Sequence, residues 1–322
     1  MNNIRLNYKI LIKTESPLHI NDGGVHIDII DSTVIKDSVG YPMIPGTTLK
    51  GSIRDFFHQK FDLPNKKYFE LKLFGNFKKL EKQNKELNAK KGDFLYDFLK
   101  MGSLKFNDAK LLFFPINVYG DIVYITSPQI LKNININFIF SEQNENFNIE
   151  WILKNKNFDL MYIDKYKIEG EIKDNTKKYL ETLKKYFEGS NIIDINYSNI
   201  LVVSDYLMKY LVDKNYYYRT GIVVDYETGV AKENLLYNLQ LVPEDTIFIT
   251  NINYIWDYGE LLQSYKNLMK DKMEKIQMSV VLENLFEGYS KYILLTGIGM
   301  GTTRGFGRIK FEYKGGVENG NN

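Results

Sequence analysis

Ile44-Pro-Gly-Thr-Thr-Leu-Lys-Gly-Ser-Ile-Arg54 is the stretch from which the rest of the chain is read. A tight Pro-Gly turn delivers two hydroxyls, Thr47 and Thr48, to the start of a helix expected over 47–61. Leu49, Ile53, Phe56 and Phe57 form its apolar side. Lys50 and Arg54 are four apart and share one face. Open backbone N–H groups at a helix start, with hydroxyls and cations beside them, suit a phosphate. An ordinary capped helix with solvent-facing cations accounts for the same residues.

On either side lie two further segments with chemistry in them. Upstream, the loop Val25-His-Ile-Asp-Ile-Ile-Asp-Ser-Thr-Val34 carries His26, Asp28 and Asp31. Near the far end, Gly297-Ile-Gly-Met-Gly-Thr-Thr-Arg-Gly-Phe-Gly-Arg308 permits close backbone approach to a ligand, with Arg304 as a cation. A strand, 308–313, is expected after it rather than a helix, which argues against a dinucleotide fingerprint. No P-loop motif is present.

Residues 4–16 alternate as a half-buried strand. Strands are expected at 102–115, 121–127, 216–225, 238–241, 247–256 and from Ile293 onward; helices at 177–187, 198–213 and 269–288. Residues 78–91 are a charged, solvated insertion, with a nucleic-acid arm as the lesser reading. Strands and helices do not alternate regularly, which favours α+β. A four-stranded sheet with helices on one face is a common RNA platform.

The chain has 322 residues, 44% of them hydrophobic, enough for a sizeable core. Its 24 Tyr and 20 Phe offer stacking faces for bases, although an AT-rich coding sequence explains most of them as well. With 42 basic and 40 acidic residues the net charge is +2, weak for a lone nucleic-acid binder and compatible with a local basic groove. No cysteine is present, which excludes disulfides and thiolate–metal sites. The N-terminus lacks an apolar signal core and no run suits a membrane span, so a cytoplasmic protein without a membrane partner is expected.

Three features together resemble the RAMP superfamily of CRISPR-associated proteins: Ser16-Pro-Leu-His19 with Gly23 and Gly24, Tyr41-Pro-Met-Ile-Pro-Gly-Thr-Thr-Leu-Lys-Gly51, and the glycine-rich loop 297–307. Within it, the chain is most similar to backbone subunits of Cmr, or type III-B, effector complexes. Leu73-Phe-Gly75, the stretch 102–115, Tyr218-Arg-Thr-Gly-Ile-Val-Val-Asp-Tyr-Glu-Thr-Gly-Val-Ala-Lys-Glu233 and Leu241-Val-Pro-Glu-Asp-Thr246 carry that likeness.

The resemblance implies a ferredoxin-like, RRM-like core in a single domain over 1–314. Insertions would fall at about 76–101 and 130–200, a β-hairpin thumb within about 214–245, and a disordered tail at 315–322. It also implies subunits stacked head to tail on a CRISPR guide RNA beside other Cmr-type subunits. Target single-stranded RNA would be cut at six-nucleotide intervals. Asp31, in Ile29-Ile-Asp-Ser-Thr-Val34, looks like the family's catalytic aspartate and would anchor a divalent metal, Mg²⁺. A lone aspartate needs phosphate oxygens and water to complete such a site. Asp28 is the competitor if the register slips. His26 is a candidate RNA contact on the same loop, whereas His19 and His58 read as structural. Thr47, Thr48, Lys50, Arg54, Arg219, Gly299, Gly301 and Arg304 are the further RNA-contact candidates. An architectural subunit without nuclease activity, a Csm-type backbone and a repeat-cleaving enzyme are the alternatives.

Overall fold

The computed structural model describes residues 4–24, 30–61, 66–75, 102–118, 121–140, 148–154, 161–163, 166–168, 176–194, 199–224, 227, 229–256 and 278–318. The charged stretch 78–91, His26, Asp28 and the tail beyond 318 lie outside these residues.

The opening alternation becomes strand β1 (Ile4–Thr14), which turns Tyr8, Ile10 and Ile12 to one face, each fully buried. After β1 come the short strand β2 (Met43–Ile44), helices α1 (Gly46–Lys60) and α2 (Lys66–Phe74), and strands β3 (Leu104–Phe106) and β4 (Ala109–Val118). Strand β12 (Ile247–Trp256), helix α6 (Met278–Thr296) and strand β13 (Ile309–Glu318) close the chain. The sheet runs β13-β1-β12-β4, with β3 also on β12, and every neighbouring pair is antiparallel. A βαββαβ path with the last strand beside the first and the first beside the third is the ferredoxin-like topology. The α+β expectation therefore holds.

Helices α1 and α6 cover one face. Phe286 meets Tyr8 edge-on with centroids 5.0 Å apart, and Tyr289 meets Phe311 at 5.0 Å. The helices touch through Phe56 and Tyr292, at 5.1 Å, and through the Tyr289 hydroxyl, which donates to Ser52 Oγ at 3.0 Å. Gly288 makes this approach possible, since a Cβ there would lie 2.8 Å from the Phe56 ring.

The rest of the chain extends this unit. Strands β5 (Asp121–Thr126), β6 (Ile149–Leu153) and β9 (Asn199–Val203) continue the sheet in the order β4-β5-β9-β6. Between them lie a helical turn α3 (Pro128–Leu131), a small hairpin of β7 (Met161–Ile163) and β8 (Tyr166–Ile168), and helix α4 (Lys177–Phe187). The end of α4 lies on the sheet face opposite α1 and α6. Phe187 sits 5.9 Å from Phe113, Lys9 Nζ lies 3.7 Å over the Tyr186 ring, and Lys314 Nζ donates to the Glu188 carbonyl at 2.5 Å. Part of the face an RNA platform would leave bare is thus covered. Helix α5 (Asp205–Lys214) leads into a separate two-stranded hairpin, β10 (Tyr217–Val224) with β11 (Ala231–Leu241).

Several local expectations change. The helix expected at 198–213 is β9 followed by α5, because the run Ile200–Val203 is wholly buried and Ser204 then caps a new helix through the Leu207 N–H. Helix α6 carries on through Ile293, which is buried four residues after Tyr289, so no strand begins there; residues 269–277 of the expected helix lie outside the described ones. Strand β13 runs past Gly315, whose φ of 112° accommodates a bulge against Asn7 and Tyr8. Residues 130–200 carry strands of the main sheet as well as the expected helix. Among the described residues no helix is long and apolar enough to cross a membrane.

Candidate nucleic-acid interface

Four segments far apart in sequence are fastened together at the base of the β10–β11 hairpin. The turn 16–19 pairs with the end of β11 and beyond, where Leu18 and Val242 exchange backbone bonds of 2.9 and 2.8 Å. The glycine loop closes on the same turn: Gly307 N–H donates to the Pro17 carbonyl at 2.9 Å and Met300 N–H to the His19 carbonyl at 2.8 Å. The loop bearing Asp31 lies along β11, with a parallel bridge between Ser32 and Leu239.

His19 ties three of these segments. It is completely buried, with Nδ1 2.6 Å from the Gln240 carbonyl oxygen and Nε2 2.9 Å from Ser32 Oγ. A carbonyl only accepts, so Nδ1 carries the proton and Nε2 accepts from the Ser32 hydroxyl. The Gln240 side chain adds a bond from the Val34 N–H at 3.2 Å.

Asp31 stands next to Ser32, exposed to solvent. Its N–H donates to the Asn238 carbonyl at 3.1 Å, and its Oδ2 accepts the Asn238 N–H at 2.6 Å. One carboxylate oxygen is therefore anchored to the hairpin strand, and Oδ1 has no partner among the described residues. Asn238 in turn accepts a 2.6 Å bond from the Thr220 hydroxyl, so the anchor reaches across to β10.

On the hairpin's other side, the arginines expected to touch RNA meet. Arg219 lies over the Phe306 ring at 5.3 Å, and Arg304 Nη1 donates to the Tyr237 hydroxyl at 2.6 Å. With Gly221, Ile222 and Leu239 they line a cleft of about 290 Å³. Gly221 is required there, because a Cβ would fall on the Tyr237 ring. Gly299 and Gly301, at φ 87° and 78°, shape the loop that brings Arg304 in.

Thr47, Thr48, Lys50 and Arg54 belong to a second corner, at the start of α1. That start is not open: Asp108 Oδ1 accepts the Gly46 N–H at 2.8 Å, and the Thr48 and Leu49 N–H groups donate to the Pro45 carbonyl. Thr47 is exposed, Thr48 half-buried. Arg54 is engaged with Glu70 of α2, its Nε and Nη2 both 3.0 Å from Oε1. His58 reaches Glu70 Oε2 at 3.2 Å. The Lys50 ammonium is held below its ordinary value, first by partial burial and then by the charges of Arg54 and Lys105. Such crowding of cations favours an anion.

Among the described residues, no three side chains of His, Asp or Glu come together to hold a metal. A single carboxylate with one oxygen already engaged does not make a resident divalent site.

A family model for the RAMP superfamily matches residues 11–310. The chain belongs to the RAMP superfamily. The matched span contains Asp31, the hairpin and the glycine loop of this RAMP protein. A relative named CRISPR system Cmr endoribonuclease Cmr4, from Pyrococcus furiosus, is 23% identical over 324 residues, covering 97% of each chain. An oligomeric Cmr4 structure from Pyrococcus furiosus matches with a TM-score of 0.58 at 18% identity, over 97% of this chain and 99% of that one. A type III-B Cmr-beta structure bound to cognate target RNA matches with a TM-score of 0.60 at 16% identity, over 95% of this chain and 96% of that one.

Sequence reading missed Ser32, Tyr237, Asn238, Gln240 and Phe306 in the first corner of this RAMP fold, and Asp108 in the second. The alternation Tyr237-Asn-Leu-Gln-Leu241 marks a two-faced strand. Nothing local marks Ser32 as the partner of His19.

Proposed function

We propose that this chain is a guide-RNA-binding backbone subunit of a type III CRISPR effector complex, of the Cmr kind. In it, copies of the chain would stack head to tail on the guide beside other Cmr-type subunits and cleave complementary target RNA at six-nucleotide intervals. The observation that carries the reading is the placement of Asp31: an exposed carboxylate bonded to the backbone of the hairpin strand, on a loop held from beneath by buried His19. The RAMP family and the Cmr4 relative support it.

The residues suggest how such a site works. Arg219 and Arg304 supply positive charge on one side of the hairpin base, suited to phosphates of a strand crossing it. The hairpin is the thumb that would force a nucleotide out of the duplex. RNA cleavage through a 2′-hydroxyl needs the attacking oxygen, phosphorus and leaving 5′-oxygen in line, and an unstacked nucleotide reaches that geometry far more readily than a paired one. Asp31 Oδ1 is the acceptor that such a strand would meet, with the carboxylate orientation set by the Asn238 N–H. The step breaks the P–O5′ bond and leaves a 2′,3′-cyclic phosphate and a 5′-hydroxyl. Any Mg²⁺ involved would travel with the RNA phosphates as part of the substrate, with Asp31 as one ligand.

The test is target cleavage by the reconstituted, guide-loaded complex, comparing wild type with Asp31→Asn and Asp31→Ala, with and without Mg²⁺. The expected outcome is regularly spaced products, reduced at least about a hundredfold in both variants with assembly intact. Unchanged cuts move the chemistry away from Asp31. Absence of cuts in wild type leaves an architectural guide-holding subunit.

A further inference from the structure

Strands β3 and β4 both pair with β12, and the sheet is interrupted between them at Asn107 and Asp108. Asn107 N–H donates to the Asn251 carbonyl at 3.3 Å, and the Thr250 hydroxyl donates to the Asn107 carbonyl at 2.8 Å, so one main-chain and one side-chain bond fasten the break to β12. A cavity of about 490 Å³ opens here, lined among others by Asn107, Asp108, Lys110, Asn133 and Asn251. The side chains of the three asparagines and Lys110 make no hydrogen bond or ion pair with any described residue. Converging amides left unmatched in a concavity are suited to hydrogen-bonding a ligand.

The charge around the break points to the kind of ligand. Lys105 immediately precedes it on β3, and the Asp108 bond to Gly46 ties it to the start of α1, where Lys50 stands close enough to Lys105 to feel its charge. Lys50 and Lys110 have no acidic partner among the described residues. Asp108 is committed through one oxygen to the helix N-terminus. Lys110 and the neutral amides line the cavity beside Asp108, and Lys105, whose Nζ also donates to the Gly102 carbonyl at 3.3 Å, and Lys50 lie on the neighbouring elements; together they match a ribonucleotide, whose phosphates carry charge and whose base and ribose edges present donors and acceptors. An acidic peptide would use the lysines and leave the amides idle.

We propose that the sheet break at Asn107–Asp108 is a nucleotide subsite: Asn107, Asn133 and Asn251 hydrogen-bond the base or ribose of a single-stranded ribonucleotide, and Lys110, Lys105 and Lys50 hold the flanking phosphates. It is built from other elements than the hairpin-base site of Asp31, Arg219 and Arg304, and it rests on the nucleic-acid reading of the chain. Guide and target RNA share the chemistry.

The experiment uses the reconstituted guide-loaded complex with 4-thiouridine placed either in the guide or in the target. Crosslinked peptides are mapped, and RNA retention is measured for Lys110→Glu, Asn133→Glu and Arg304→Glu. Lys110 and Asn133 are exposed, so these changes spare the core. Crosslinks to the 105–110 segment or to the segment around Asn133, with about tenfold weaker retention in both variants, are expected. The labelled strand that crosslinks identifies the occupant. If Lys110→Glu and Asn133→Glu retain RNA like wild type while Arg304→Glu does not, or if another subunit crosslinks there instead, the subsite is refuted and the wider reading stands. If wild type retains no RNA, both fail.

Discussion

Replacing Gly299 by alanine should loosen the glycine loop from the turn that carries His19. Gly299 has φ 87°, and an alanine Cβ would run into the His19 carbonyl oxygen and lie 3.1 Å from Ile20 Cγ1. The left-handed backbone alone costs an alanine about 1–2 kcal/mol. The obstructing atom is main chain, so relief requires the two segments to part, which strains the 2.8 Å bond from Met300 N–H to that same oxygen. Weakening a backbone bond at a packed contact adds about 1–2 kcal/mol. The total is about 3 kcal/mol. Gly305 supplies the control: its φ is 86°, but a Cβ there meets nothing within 4 Å, so Gly305→Ala should lose only the backbone cost. Urea unfolding followed by circular dichroism, with the slope checked for two-state behaviour, measures both. Equal destabilisation of the two variants would refute the argument, because the contact with His19 would then contribute nothing.

Other substitutions probe the ion pairs and buried charge. Lys72 is 4% exposed, and burial pushes its ammonium down to about 8. Below that pH the folded chain bears the whole desolvation cost; between about 8 and 10.5 the unfolded chain still binds the proton and the folded one does not, so stability rises with pH. Stability should therefore climb between about pH 8 and 10.5, and Lys72→Met should flatten that climb; unfolding at several pH values reads it, and an unchanged slope in the variant would contradict it. Arg54→Ala removes a charge partner of Glu70, which is 7% exposed, and should cost about 2 kcal/mol, Arg54 itself being partly solvated. In a double-mutant cycle, Arg54→Met with Glu70→Met should recover much of that loss, and simple additivity would deny the coupling.

Much of the ferredoxin-like core was legible. The alternation of 4–14 and the apolar stripe of α1 follow from local periodicity, which a strand or helix must satisfy whatever surrounds it. The run 200–203 misled because a fully buried strand has no polar side to reveal its period, so an all-apolar segment reads as a helix as easily. The end of α6 misled for a related reason: the residues after Tyr289 keep an apolar face, and no proline or glycine stops the helix before Gly297.

The candidate site divides in the same way. Sequence alone marked the Pro-Gly turn, the glycine loop and the arginines, because chemistry-bearing residues in turns stand out against the pattern of the core, whereas Asp31 was marked by its resemblance to the family's aspartate. Sequence also suggested an open helix start at Gly46 and a free Arg54. Only the tertiary structure showed Asp108 on the Gly46 N–H and Glu70 on Arg54. Tertiary structure likewise brought His19 to Ser32, Asp31 to Asn238, and Arg304 to Tyr237. The physical reason is range. Periodicity, turns and helix starts are set by neighbours within a few residues, whereas a hydrogen bond closing 207 residues of chain between Asp31 and Asn238 depends on which buried faces pack first, and no local pattern records that.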